Sequence, residues 1–321
     1  MAYELELESE SEEYALEVED EPNEYTLEVE GEGEYTLELE CEPEEYTLEV
    51  ENEVVVAKGG DTPTPTVDTA AALIEGTITE AKYETVKTVR NYAFSSCTSL
   101  TSVDLPQAAT FGSYAFFNCS SLTSVDLPQA ATFGSCAFYG CSSLTSVDLP
   151  QATKFSDSAF SSCSSLTSVD LPQAATFGYS AFQGCSSLTS VDLPQAATFG
   201  SNAFSGCTSL TSVDLPQATT FGSYAFQGCK QITRITLPKV QKINGQNFCY
   251  NCSALTAFVI ENTEQVCSLT STSNCFANTP IKSGTGYIYV PDALVDSYKT
   301  ATNWATFADQ IKPLSELPAE A

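Results

Sequence analysis

The chain has no histidine at all. The commonest general base near neutral pH and the commonest metal ligand are therefore missing. Ser-His-Asp and Cys-His catalysis and most zinc sites go with them. Basic residues are nearly as scarce: 12 Lys and Arg stand against 42 Asp and Glu, for a formal net charge of −30. Nucleic-acid and anionic-membrane binding both need basic surface, so neither is expected. No run approaches the roughly 18 apolar residues of a spanning helix, so membrane insertion is not expected either. The start, Met1-Ala2-Tyr3-Glu4-Leu5-Glu6, offers no basic or apolar segment of the kind a standard secretory signal needs. Acidic residues abound, but no paired acid and base at a pocket can be named, so no catalytic residue is assigned.

What is present is repetition, in two kinds. Tyr3, Tyr14, Tyr25, Tyr35 and Tyr46 open five copies of a 10- or 11-residue unit. In Tyr25-Thr26-Leu27-Glu28-Val29-Glu30, apolar residues alternate with Thr and Glu, the period-2 mark of a half-buried strand. Pro22, Gly31, Gly33 and Pro43 fall between units, where turns are needed. Residues 1–57 hold 23 of the 42 acidic residues and no basic one. Five short strands bury little area alone. An acidic β-repeat stalk or attachment segment that associates with itself, a trimer being the expected assembly, is one reading. A solubilising acidic tail is the other. The stretch at 58–67, rich in Gly, Pro and Thr, reads as a linker.

The second repeat is longer. Cys97, Cys119, Cys141, Cys163, Cys185, Cys207 and Cys229 follow one another at 22-residue steps, and Cys252 comes after a step of 23. In the unit that starts at Cys119, Leu122, Val125 and Leu127 fall on one side of a short strand, and Pro128 ends it because proline cannot donate to a ladder. Phe133, Ala137 and Phe138 then return over the same interior. One unit cannot close its core. Copies stacked at about 4.8 Å can, each adding a near-identical buried layer. The fold class is a β-rich, α+β solenoid of the leucine-rich-repeat kind over 68–290, closed by a C-terminal cap with a short helix over 291–321.

The unit Cys-Ser-Ser-Leu-Thr-Ser-Val-Asp-Leu-Pro…Phe-Gly-x-x-Ala-Phe-x-Gly resembles the BspA-like leucine-rich repeat of bacterial surface proteins, over roughly residues 70–290. The segment from Tyr287 through Pro291 and Tyr298 to Trp304 resembles the closing segment of such proteins. The resemblance implies adhesion and host-surface binding, a role that also occurs in bacteriophage virion proteins. Bacterial members usually carry a signal peptide and a surface anchor, and neither is read here. With the fibre-like acidic repeat, this favours a virion protein by analogy.

Candidate sites lie on the outside of the coil. Alternation sends Asp104, Asp126, Asp148, Asp170, Asp192 and Asp214 outward beside Ser102, Ser124, Ser146, Ser168, Ser190 and Ser212. Like charges about 4.8 Å apart repel by about 0.9 kcal/mol even in bulk water. Calcium or a polyhydroxyl ligand would offset that; a solvated face that keeps the sheet soluble is the plainer reading. The turns after each phenylalanine vary most. There Tyr114, Tyr139, Tyr179 and Tyr224 suit recognition by stacking and hydrogen bonding. The 13 cysteines read as a ladder of small buried thiols, with Cys136 off it. Cys249, Cys252, Cys267 and Cys275 leave a four-thiolate zinc site as an alternative, with Cys249 placed in the variable turn. No cofactor is called for beyond calcium. The expected function is non-catalytic attachment at a virion surface, the solenoid binding a host cell-surface glycan or protein and the stalk meeting itself or other virion proteins. A bacterial cell-surface or extracellular adhesin is the alternative, and a passive structural or decoration protein of a virion is another.

Overall fold

The computed structural model describes residues 24–28, 34–38, 47–50, 53–56, 79–83 and 85–319. The chain divides into two compact units, 1–78 and 79–321. In the first, strand Glu24–Glu28 pairs antiparallel with Glu34–Glu38, which sets Tyr25 opposite Leu37 and Leu27 opposite Tyr35. A second antiparallel pair joins Thr47–Val50 to Glu53–Val56. The units that open at Tyr25, Tyr35 and Tyr46 thus contain strand, and the Glu53–Val56 strand was not anticipated. The units at Tyr3 and Tyr14, and the linker at 58–67, lie outside the described residues.

The second unit is the solenoid. Each coil places one short strand on either side of a shared core. On one side, nine two-residue strands run parallel in chain order from Thr88–Val89 to Ser268–Leu269. Phe111, Phe133, Phe155, Phe177, Phe199 and Phe221 stand in register along that sheet, and Ile243 follows them. On the other side the strands are also parallel and fall into three sheets, the Ser-Val-Asp strands making up the middle one and part of the first. The divisions fall between Ser124–Asp126 and Ser146–Asp148, and between Ser212–Asp214 and Arg234–Leu237. Val125 and Val213, beside those divisions, are less buried than Val103, Val147 and Val191.

The interior is a set of columns. Successive phenylalanines stack at centroid separations of 4.9–5.6 Å and interplanar angles of 2–14°. Leu122, Leu127, Ala130, Ala137 and Phe138 are all sealed from solvent. The cysteine column does more than fill space. Each thiol donates to the carbonyl of a phenylalanine in the coil before it, as Cys119 Sγ does to Phe94 at 2.9 Å and Cys163 Sγ to Phe138 at 3.0 Å. Serine could make that bond too, but sulfur makes it while remaining largely apolar, which suits a dry layer.

The glycine after each phenylalanine has a steric reason. A Cβ at Gly134 would lie 2.4 Å from the Ser113 backbone nitrogen. Where serine replaces it, at Ser156, the bond back to the Phe133 carbonyl lengthens to 3.3 Å, against 2.8 Å at Gly134.

One coil departs from the pattern in a compensated way. Phe248 sits where its neighbours have alanine, and Cys249 where they have phenylalanine, as the backbone bonds from Phe226 to Phe248 and from Cys249 to Cys275 show. The volume is conserved by the exchange. Cys249 is therefore fully buried, not in the variable turn where the spacing had put it. Phe248 meets Phe221 and Phe226 edge-on, at 76° and 83°.

The C-terminal segment closes the solenoid twice over. The edge strand Ser268–Leu269 would expose unpaired backbone groups, an invitation to edge-to-edge association. Side chains cover them: Trp304 Nε1 donates to the Cys267 carbonyl at 2.6 Å, the Cys267 amide donates to Tyr298 Oη at 2.8 Å, and Asn303 Nδ2 donates to the Leu269 carbonyl at 2.7 Å. On the opposite side the outward positions turn apolar at Ala257, Val259 and Tyr289, and Leu314 and Leu317 pack over them. Arg234 fastens this strap by donating to the Pro318 carbonyl at 2.7 Å. The two described α-helices, Pro280–Ser283 and Val295–Thr300, belong to this closure and not to the repeat.

Candidate functional site

Two outward surfaces remain open. The first is the Ser/Asp face. Asp104 stands opposite Asp126, and Asp148, Asp170, Asp192 and Asp214 stand in register with one another. Ser102 pairs with Ser124, Ser146 with Ser168, and Ser190 with Ser212. Every serine and aspartate of this face from Ser124 to Asp214 is exposed. Among the described residues only Asp104 of this ladder has an ion pair, with Lys82 at 3.1 Å. Lys82 occupies the same position one coil earlier, so it caps the N-terminal end of the ladder. The ladder is not continuous. Asp126 and Asp148 fall on either side of a sheet division. No group of three or more potential ligands converges among the described residues, so calcium has no assembled site here and neither does zinc at Cys249, Cys252, Cys267 and Cys275.

Threonines flank this face and tie it together. Thr123, Thr167 and Thr211 each donate Oγ1 to the carbonyl of the threonine 22 residues earlier, at 2.9, 3.0 and 3.0 Å. Their hydroxyl protons are spent on the scaffold, leaving Ser and Asp as the outward-facing groups.

The second surface is the row of turns. Each coil passes through the left-handed region twice. One such position holds Tyr92, Tyr114, Cys136, Ser158, Ser180, Asn202 and Tyr224, with φ between 56° and 61°. The other holds Ser96, Asn118, Gly140, Ser162, Gly184, Gly206 and Gly228. The variation at these turns is therefore variation within a demanding backbone conformation, one that glycine and asparagine tolerate best.

Of the four tyrosines expected at the turns, two come together. Tyr114 meets Phe117 edge-on at 5.4 Å, and Phe117 stacks on Tyr139 at 5.1 Å. Tyr92, which the sequence reading did not include, extends the cluster by stacking on Tyr114 at 4.9 Å and 3°. The Cys136 thiol beside Tyr114 holds its phenol above the ordinary range. The other two stand apart. Tyr179 is 52% exposed, its amide bonded to Asp157 Oδ1 at 2.6 Å. Tyr224 Oη accepts from Gln246 Nε2 at 3.0 Å.

The thiols offer no nucleophile. Burial pushes Cys97 up to about 11 and Cys119 and Cys185 up to about 12, far from the thiolate form at neutral pH. All twelve described cysteines are free and only Cys136 among them is not buried. Native protein treated with a thiol reagent at pH 8 should label Cys136 ahead of every other described cysteine. Peptide mapping that finds Cys163 or Cys185 labelled at the same rate would refute the dry thiol column.

In-register coils of 22 residues with an inward Leu, Cys and Phe set define a leucine-rich-repeat solenoid. The sequence pattern of the BspA type leucine-rich-repeat region matches residues 77–188 and 175–290, with six copies, and the chain belongs to that family. Among solved structures it is similar to a leucine-rich-repeat protein of T. pallidum, at 34% identity over 46% of this chain and 72% of that one, with a TM-score of 0.44. It is also similar to a leucine-rich-repeat protein from Bacteroides ovatus, at 20% identity over 79% of each chain, with a TM-score of 0.41. A leucine-rich cell surface protein from Faecalibacterium prausnitzii shares 18% identity over 71% of this chain and 82% of that one, with a TM-score of 0.38. No curated protein matches the chain.

Proposed function

We propose that the protein is a non-catalytic attachment protein displayed on a surface, with the solenoid binding a host cell-surface polymer and the acidic segment providing attachment or valency. The observation that carries this is the pair of open faces. A self-capped coil presents repeated Ser/Asp positions and clustered turn aromatics, while every described thiol except Cys136 is buried and the sequence holds no histidine. Repeated positions suit a repeated ligand, since weak contacts on several coils sum to useful affinity. A virion surface is the location we favour, because the repetitive acidic β segment is fibre-like in character. Membership in the BspA type family supports a second location, the bacterial cell surface. Mass spectrometry of purified particles and of the cell-envelope fraction from the source culture separates the two. Absence from both, together with no binding of the whole chain to any host cell, would leave a passive structural role in place of this one.

Residues 1–57, with 23 carboxylates and no basic group, should associate through their Tyr, Leu and Val positions. Salt screens the mutual repulsion of the carboxylates. Sedimentation equilibrium of the full chain should therefore show the oligomer strengthening as ionic strength rises from about 0.01 to 0.15 M. A monomer at every salt concentration would overturn self-association and the trimer with it.

A further inference from the structure

We infer that Tyr92, Tyr114, Phe117 and Tyr139, packed ring against ring, form a binding shelf for an uncharged polysaccharide. This rests on the attachment reading above and names the chemistry of its ligand. The four rings run across three successive coils without a gap: Tyr92 on Tyr114, Tyr114 on Phe117, Phe117 on Tyr139. Two coil steps of about 4.8 Å make the shelf about 10 Å long, the reach of a short stretch of sugar units. Tyr92 is 54% exposed, so the shelf is open at that end.

The fold does not require these rings. Ser158, Ser180 and Asn202 occupy the same turn position with φ of 58°, 56° and 60°. A tyrosine held left-handed carries backbone strain, and neither Tyr92 nor Tyr114 lies in the core. Asparagine would fill the position more easily, as it does at Asn202 and Asn247. The aromatic occupants are best explained by what they contact outside.

Charge narrows the ligand. Between Asn91 and Gly140 the sequence has no Lys or Arg, and its two acidic residues, Asp104 and Asp126, belong to the Ser/Asp sheet face. Lys87 and Arg90 precede that stretch, but an anionic polymer would meet them on a chain whose formal charge is −30. A neutral sugar suits it. The C–H face of a pyranose packs on the ring surface that the stacking leaves uncovered, most of it on Tyr92, and its hydroxyls take hydrogen bonds from amides and phenols at the rim. Asn91 and Asn118 supply exposed amides beside the rings. The Asn91 side-chain oxygen is already held by the Ser113 amide at 2.7 Å, which fixes the side chain in place.

The test is affinity electrophoresis of the full chain in native gels cast with a neutral β-glucan, a neutral α-glucan or a neutral galactomannan, with alginate as the anionic comparison. The variant is Tyr92→Asn with Tyr114→Asn, chosen because asparagine suits the left-handed backbone and should keep the coil folded. Tyr250→Gln serves as a half-buried tyrosine off the shelf, outside the candidate recognition residues. The expected result is retardation of the wild-type chain by at least one neutral polysaccharide and not by alginate. The double variant should bind at least ten-fold more weakly, and Tyr250→Gln should bind like wild type. Equal retardation of wild type and double variant would move the site off the shelf. No retardation by any neutral polysaccharide would overturn the inference. Host-cell binding by the same preparation, measured in parallel, reports on the attachment reading by itself. If that binding persists and is insensitive to the double variant, attachment stands and the shelf does not. If sedimentation shows a dimer that the double variant abolishes, with no retardation, the shelf is an interface between copies and the inference also fails.

Discussion

Phe138→Ala should lower the unfolding free energy of the solenoid by about 3–5 kcal/mol. The ring is fully buried, lies between Phe116 at 5.1 Å and Phe160 at 5.4 Å, and tilts against Phe133 at 5.5 Å. Coils packed at in-register spacing cannot collapse into the gap without breaking strands on both sides of it, so the loss keeps its cavity share. A second consequence follows from the architecture. Each coil touches only its neighbours, so stability is close to a sum of local terms. A cavity in the middle of the array should weaken coupling between the two halves and broaden the thermal transition or split it. Tyr179→Ala, at an exposed turn, should change stability by about 0.5 kcal/mol or less. Equilibrium denaturation of both variants gives the comparison. A cost below about 1 kcal/mol for Phe138→Ala would mean that the phenylalanine columns are not the core.

The same columns explain what the sequence disclosed. Cys119, Leu122, Leu127, Phe133, Ala137 and Phe138 were legible as core because the 22-residue period puts one layer above the next, and every copy repeats the message. The outward Ser and Asp positions followed from alternation around each buried valine. The second sheet was not legible, because strands as short as Thr132–Phe133 show no period of their own. Nor was the exchange at Phe248 and Cys249, which only makes sense once the Ala and Phe places are seen to share one volume. The C-terminal strap was hidden for a different reason: Leu314 and Leu317 cover Ala257, Val259 and Tyr289 through contacts that no repeat announces. At the candidate site, Tyr114 and Tyr139 stood out as aromatic departures at a variable turn. Tyr92 did not, since it lies in a degenerate first copy, yet it is the open end of the cluster.

Alkaline pH should unfold the solenoid sharply, and the thiol column sets where. Burial pushes Cys119, Cys185 and Cys267 up to about 12 from an ordinary 9.0. It drives Cys141, Cys163, Cys207, Cys229, Cys249 and Cys275 well up too. These groups are neutral when protonated, and the folded state keeps the proton longer than the unfolded state does. Below pH 9 both states hold it, and the stability is fully present. As pH rises above 9 the unfolded chain releases protons that the folded chain retains, so unfolding gains about 1.4 kcal/mol per thiol per pH unit until the folded value is reached. Nine such thiols at pH 10 amount to roughly 13 kcal/mol, which is comparable to the whole stability of a domain. Buried Tyr298, whose phenol is also pushed up by desolvation, acts in the same direction. Guanidinium denaturation with fresh reductant should thus give a midpoint that changes little from pH 7 to 8.5 and collapses between 9 and 10.5. The double variant Cys163→Ala with Cys185→Ala separates this cause from other alkaline damage. It should start less stable at pH 7, because it loses packing and two bonds to phenylalanine carbonyls, at 3.0 and 3.1 Å. Its stability should then fall less steeply above pH 9, by the share of two thiols. An identical slope in variant and wild type would show that ionisation of the column is not what drives the transition.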